Sequence, residues 1–204
     1  RIEVLKGPQG TLFGRNATGG AFNIVTPDPG NISSTSFKSE IGNFGKRTVS
    51  GQLSTPLTDW VAVSVTGMYS REESYYSSIF YDVEDSVFRS ARLKVKLKPT
   101  DDISVVLSGS HSESSGIAAV LGNNTTPSLV GKALLMEEKP DSYTSEMDFH
   151  PASNQLKNMM YGNATWELPW LDIKLLGGYQ YQQNGSAIDF DGGSKPIAAF
   201  SSSE

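Results

Sequence analysis

The side chains best suited to catalysis or metal binding are few, and they are not arranged as an active site. Serine stands beside histidine at Ser110 and His111, which are the residue types that nucleophilic hydrolases combine. The Gly-x-Ser-x-Gly turn that presents such a serine is missing, and no triad is assembled around the histidine. His111 and His150 are the only histidines, and the chain has no cysteine. We predict no catalytic residue, no metal site and no cofactor.

A row of cations is the most strongly charged pattern of the chain. Four cations alternate with four apolar residues, namely Arg92, Lys94, Lys96 and Lys98 with Ala91, Leu93, Val95 and Leu97. This alternation predicts a β-strand with two different faces, and the charged face requires water. We interpret that face as the solvated wall of a lumen. Two further roles stay open, because the cations could attract an anionic substrate or pair with carboxylates such as Glu3.

Glycines divide the first thirty residues into short apolar pieces. They are Gly7, Gly10, Gly14, Gly19 and Gly20. Such a segment turns tightly several times and is too short to have its own core, so it must pack against something larger. A phosphate-binding P-loop would need Gly-Lys and then Ser or Thr, where Arg15 and Asn16 follow Gly14. A dinucleotide-binding turn would need a helix after Gly20, and no helical periodicity is present there.

The same stretch resembles the carboxyl end of the plug domain of TonB-dependent outer-membrane receptors. The matching segments are IEVLKGPQG at 2–10, LFG at 12–14 and GGAFNIVT at 19–26, followed by Pro29. The positions to which the resemblance assigns a structural or gating role are Glu3, Lys6, Gly7, Pro8, Gln9, Gly10, Gly14, Arg15, Gly19, Gly20 and Asn23. It implies that Glu3, Lys6 and Arg15 could form the charged pairs that hold a plug against its barrel.

The resemblance implies a function in transport. Receptors of this family bind a scarce solute, such as a ferric siderophore, and admit it when the plug is displaced. TonB, with the ExbB/ExbD energy complex, would act on a segment upstream of this chain. The resemblance implies a monomer in the outer membrane of a Gram-negative bacterium, in contact with its lipid and without enzymatic activity. Cobalamin, haem and oligosaccharides use the same scaffold, so the substrate stays open.

Beyond a linker at 27–30, period-two alternation predicts about seven strands. The predicted segments are 37–41, 48–54, 61–70, 91–98, 103–110, 156–168 and 171–182. A strand of about ten residues, tilted by about 45°, covers the ~25 Å apolar band of an outer-membrane barrel. We predict an all-β fold, an antiparallel up-and-down transmembrane β-barrel. Residues 1–30 would be the end of the plug, and residues 31–204 the amino-terminal part of the barrel.

The predicted connections alternate between short turns and long loops, as they do in such barrels. The long ones are 71–86, 114–153 and everything after 183, whereas 43–46 is a short exception. Aromatic side chains among acidic residues suit an amphipathic ligand, so ligand contacts are predicted for Tyr75, Tyr76, Phe80 and Tyr81. Residues 128–138 are predicted to form a short helix capped by Ser128.

Composition excludes other classes of protein. The net charge is −5, and no basic patch interleaved with aromatic residues points to a nucleic-acid partner. Bacterial barrels close with an even number of strands, and large transporters use about 22. The chain begins at Arg1 without a leader, so we expect a fragment holding about the first third of such a barrel. A passive porin-like barrel and a soluble β-sandwich that binds a ligand stay open as alternatives.

Overall fold

A computed structural model describes residues 2–8, 19–117, 143–145, 148–189 and 199–203. In order, the strands are β1 (Ile2–Lys6), β2 (Gly20–Ile24), β3 (Ser34–Ile41), β4 (Arg47–Thr58), β5 (Val61–Glu72), β6 (Ser77–Ser78), β7 (Ser86–Leu97), β8 (Ile103–Gly116), β9 (Thr144–Ser145), β10 (Ala152–Leu168), β11 (Leu171–Asp189) and β12 (Ala199–Ser203). In these described ranges, no helix has the length and apolar character needed to cross a membrane.

Eight strands form one sheet, in the order β12-β11-β10-β8-β7-β5-β4-β3. Every pair of neighbours in it is antiparallel. Strands that follow one another in this sheet along the chain are also neighbours in space, which is the up-and-down arrangement. The all-β antiparallel fold is therefore confirmed. The sheet is open in the described part of the chain, with β3 and β12 at its edges.

The predicted strand segments lie in strands of this sheet, except for Lys98, which follows β7. The carboxyl-terminal prediction is wrong. The residues after 183 were expected to form a loop. Instead, β11 continues to Asp189, and β12 pairs with its last five residues, 185–189. The missed residues are mostly glycine, alanine and serine, as in Ser201, Ser202 and Ser203. Such side chains give no period-two contrast, and here the hydrogen bonds of the ladder decide the structure.

The turns at one end of the sheet lie at their predicted positions, and the first of them is shorter than predicted. Residues 55–58 were expected in a turn, but β4 runs to Thr58 and β5 begins at Val61. The register shifts between Pro56 and Thr58, and this bulge accommodates a proline that has no N–H for the ladder. β10 and β11 are joined at 169–170, as predicted, and β7 and β8 at 98–102, where the predicted turn began one residue later. Long connections lie at the opposite end, at 73–85 and 117–151, as the parity of the strands predicts.

The two faces of the sheet differ in polarity and in burial. Residues that are directly opposed across neighbouring strands share a face. One such row is apolar and continuous across six strands: Leu53, Val65, Leu93, Gly109, Met160 and Tyr179. Its side chains are not covered by protein, as the exposures of 51% for Val65 and 49% for Leu93 show. We call this the outer face, and the opposite face, which carries Lys94, the inner face.

The small core lies on the inner face. Its buried members are Ser54, Ala62, Ser64, Lys94 and Val106. Ser54 is opposed to Ser64 and Ser64 to Lys94, while the next row joins Ala62, Lys96 and Val106. These neighbouring rows define one buried patch rather than a sealed layer between two sheets. Pro29 of the linker is also buried.

Two short pairings complete the described structure. β1 and β2 form an antiparallel pair of their own, in which Glu3 is opposed to Asn23 and Lys6 to Gly20. β6 and β9 form a parallel pair, which connects the 73–85 loop with the longest loop. The helix predicted for 128–138 lies outside the described residues.

Candidate functional site

Lys94 joins the linker to the inner face of the sheet. Its Nζ donates to the backbone oxygen of Thr26 at 3.0 Å, to that of Pro27 at 3.1 Å and to Oδ1 of Asp28 at 3.0 Å. An ammonium group has three protons, so these three acceptors satisfy it fully. The Lys94 side chain is only 6% exposed, whereas the Asp28 side chain is 45% exposed. We call this group of contacts the Lys94 clasp.

The residues around the Lys94 clasp favour its formation. Ser64 is directly opposed to Lys94 on the inner face, and Ser54 is opposed to Ser64 on the next strand; both serines are buried. Their small side chains leave the long lysine side chain free to reach the linker. Pro27 and Pro29 restrict the linker backbone, which reduces the entropy lost when it is held in place. A buried lysine is tolerated because it has both an opposite charge and hydrogen-bond acceptors.

The other cations of the row have different surroundings. Lys98 lies beyond β7 and donates to Asp101 Oδ1 at 3.2 Å within the turn to β8. Arg92 and Lys96 lie on the inner face and, in the part of the chain that the structure describes, form no ion pair. The row is thus one clasp, one turn contact and two partly exposed cations. A role in attracting an anionic substrate stays a prediction for Arg92 and Lys96.

Only part of the predicted plug motif lies in the described chain. Glu3, Lys6 and Asn23 are in the β1–β2 pair, with Gly7, Pro8 and Gly19 beside it. Gly20 has a φ of +145°, and a Cβ there would lie 2.5 Å from the Leu5 carbonyl oxygen, so this close pairing requires glycine. Gln9, Gly10, Gly14 and Arg15 lie outside the described residues.

The carboxylate bound to Lys94 is Asp28, a linker residue that the sequence analysis did not single out. Asp28 lies between two prolines, a context typical of a turn or linker, and this hid its role. The contact joins residues 66 positions apart, so no local pattern could have indicated it. The alternation did predict correctly that Arg92, Lys94 and Lys96 share one face of a strand.

Aromatic rings from three loops meet at the long-loop end of the sheet. Tyr75 lies 5.9 Å from Phe44, 4.4 Å from Tyr76 and 6.3 Å from Tyr143, measured between ring centroids. Tyr75, Phe44 and Tyr143 are each more than half exposed. The hydrogen bond with Tyr75, together with partial burial, raises the pKa of Tyr76. We call these four rings the aromatic cluster.

The two other predicted ligand contacts do not belong to this cluster. Tyr81 packs edge-on against His150 with centroids 4.7 Å apart, and its buried hydroxyl has no hydrogen-bond partner among the described residues. Phe80 is exposed. The sequence therefore indicated Tyr75 and Tyr76 but missed Phe44 and Tyr143, which come from separate loops.

Comparison with curated proteins gives a short but close match. The chain is 61% identical over 28 residues to the pesticin receptors of Yersinia enterocolitica and Yersinia pestis. The match covers 14% of this chain and 4% of those receptors. No protein-family model matches the chain.

Solved structures match nearly the whole chain. The ferric yersiniabactin uptake receptor FyuA from Yersinia pestis matches with a TM-score of 0.73 and 18% identity over 91% of this chain. The ferric-catecholate import receptor Fiu from E. coli K12, in its open form, matches with a TM-score of 0.73 and 17% identity over 99% of it. The chain spans 29% of the former and 33% of the latter. Its fold is therefore that of TonB-dependent receptors, of which it spans about a third of the length.

Proposed function

We propose that the chain is part of an energy-coupled outer-membrane receptor that takes up a scarce solute such as a ferric siderophore. Residues 1–30 are the carboxyl end of its plug, and residues 31–204 are the first strands of its barrel. Transport by this receptor needs no cofactor and no covalent chemistry. The full receptor acts as a monomer in the outer membrane of a Gram-negative bacterium.

The Lys94 clasp is the observation that carries this proposal. It fastens the segment after the β1–β2 pair to the inner face of the sheet, as a stopper attached to a barrel wall requires. Large barrels enclose a wide lumen that would leak if it were open, so a plug must fill it and must move to admit the solute. Moving the plug requires energy, which TonB and the ExbB/ExbD complex supply through a segment upstream of residue 1.

The resemblance to receptors for ferric yersiniabactin and ferric catecholates supports a ferric siderophore as the solute. The exposed aromatic cluster fits this class, because aromatic rings stack on the planar aryl groups that many chelators contain. Arg92 and Lys96 add positive charge on the inner face, which would favour an anionic complex.

The two alternative functions have weaker support. A passive porin has no use for a segment fastened across its inner face. A soluble β-sandwich would bury its apolar faces against each other, whereas Leu53, Val65 and Leu93 are all about half exposed on the outer face.

Uptake of labelled iron tests the proposal. The full-length protein is expressed in a Gram-negative host that lacks its own siderophore receptors, and ⁵⁵Fe is supplied on yersiniabactin, on a catecholate siderophore or on pyoverdine. We expect accumulation with at least one of the three, and we expect a protonophore to abolish it. Accumulation that persists with the protonophore would indicate a passive pore, and no accumulation with any of them would contradict the ferric-siderophore assignment.

A further inference from the structure

Three arginines gather on the outer face near the long-loop end of the sheet. Arg47 of β4 is directly opposed to Arg71 of β5. Arg89 of β7 is opposed to Tyr69, two residues from Arg71, so it is the diagonal neighbour of Arg71. Directly opposed residues have Cβ atoms about 5 Å apart and diagonal ones about 7–8 Å apart. The three guanidinium groups can therefore reach a common ligand, and we call them the arginine triad.

The carboxylates nearby neutralise only one member of the triad. Arg71 alone is paired, with Asp85. Glu113 is opposed to Arg89, but its Oε1 lies 3.2 Å from Nε2 of His111. Among the described residues, Arg47 and Arg89 have no acidic partner, and Arg89 instead lies over the Tyr69 ring with its Cζ 5.9 Å from the centroid. Like charges that are directly opposed destabilise a sheet, so an anion between them would relieve an existing repulsion.

The position of the triad on the outer face points to the kind of anion. Arg89 is four residues from Leu93 of the apolar row, and Arg71 is six from Val65. With a rise near 3.3 Å and a tilt near 45°, these separations correspond to about 9 and 14 Å along the membrane normal. On the other side, Val65 and Leu93 are each four residues, or about 9 Å, from the short-turn ends of their strands at Val61 and Leu97. The apolar row is thus near the middle of a ~25 Å apolar band, and the triad would lie at the level of the lipid headgroups.

A polar recess continues from the triad. A cavity of about 430 Å³ next to Arg89 is lined by Val87, Glu113, Asn154, Leu156 and Gln183, among others. These five residues belong to the outer face, as their cross-strand partners show. In the register of the strands, Glu113, Leu156 and Gln183 lie level with Arg89, and Val87 and Asn154 lie on its long-loop side. Polar and apolar side chains are therefore mixed along the recess, and each can meet part of an amphipathic molecule.

We propose that the arginine triad binds the phosphate-bearing headgroup of an outer-leaflet lipid, whose acyl chains lie on the apolar row below. The proposal rests on the membrane location given under the proposed function, but not on the transported solute. Arginine suits this role because its planar guanidinium donates two parallel hydrogen bonds to a phosphate.

Lipid binding to the purified full-length receptor tests this site. Native mass spectrometry in detergent measures the apparent Kd for dioleoyl phosphatidic acid, for dioleoyl glycerol with the same chains, and for inorganic phosphate. We expect phosphatidic acid to bind at least about tenfold more tightly than either, because only it offers both the charge and the chains. Equal binding of dioleoyl glycerol would contradict the proposal, because it would show that only the apolar surface binds the lipid. Equal binding of phosphate would make it a site for free anions.

A matched pair of variants assigns the effect to the triad. Arg47→Gln with Arg89→Gln removes two positive charges, and Lys38→Gln with Lys46→Gln removes two from an adjacent edge of the same sheet, where both lysines contact Glu40. We expect the arginine variant to lose about tenfold or more in phosphatidic acid affinity and the lysine variant to keep it. Unchanged binding in the arginine variant, or an equal loss in both, would overturn the proposal. Heat-modifiable migration on gels checks that each barrel is folded.

Discussion

Deleting residues 2–26 from the full-length receptor should turn a closed transporter into a leaky pore. The deletion removes the β1–β2 pair and the Thr26 acceptor of the Lys94 clasp. A barrel of about 22 strands has a lumen that only a plug fills, so large hydrophilic solutes should pass. We expect the inhibitory concentration of a glycopeptide antibiotic, too large for ordinary porins, to fall by on the order of tenfold in cells that express the variant.

Two controls make this result interpretable. Cells that express the intact receptor at the same level should keep the original antibiotic resistance. The deleted receptor must also show the heat-modifiable migration of a folded barrel, because a misassembled barrel could damage the membrane by itself. A folded deletion variant without increased permeability would show that residues 2–26 do not close the lumen.

Replacing Lys94 with methionine should release the linker while the sheet stays folded. Methionine has nearly the length of lysine but no donors, so Thr26, Pro27 and Asp28 lose their shared partner. Hydrogen bonds to a charged group stabilise by about 1.5–3 kcal/mol each, and these three share one ammonium group. We expect the opening equilibrium of the linker to increase by about tenfold to a hundredfold. Amide hydrogen exchange of a peptide that spans residues 25–33 measures it.

Lys96 provides the matched control for this variant. It lies on the same face of the same strand, two residues farther on, and in the described part of the chain it forms no ion pair. Lys96→Met should leave linker exchange unchanged. Asp28→Asn, which keeps the two carbonyl contacts of Lys94, should give an intermediate increase. If Lys94→Met and Lys96→Met had the same exchange rates, the clasp would not be what holds the linker.

The sheet was predictable from sequence because its two faces face different surroundings. Alternation such as that of Val63, Ser64, Val65 and Thr66 appears only when one face is apolar and the other is polar, so it identified strands directly. The same alternation predicted the position of the cationic row, because Lys94 and Lys96 had to share the polar face. The parity of short and long connections then gave the up-and-down order.

Features that depend on contacts between distant residues were not predictable. Asp28 and Lys94 are far apart in the chain, and nothing around Asp28 distinguishes it from an ordinary linker residue. The aromatic cluster needs Phe44 and Tyr143 from different loops, and loop positions follow from the assembled sheet. β12 pairs through its backbone, and its small side chains give no alternation of apolar and polar residues in the sequence.

The alternation of surroundings along β5 tests the central claim most directly. These 204 residues contain no cysteine, so Val65→Cys and Thr66→Cys each add one thiol for a spin label. Any cysteine elsewhere in the full-length receptor is first replaced by serine. In lipid vesicles, the label at 65 should be relaxed by oxygen, which concentrates in lipid, and the label at 66 by a water-soluble nickel complex. The account predicts this opposite response at adjacent positions. If the label at 65 were shielded from both reagents, the outer face would be covered by protein and the membrane-barrel account would be wrong.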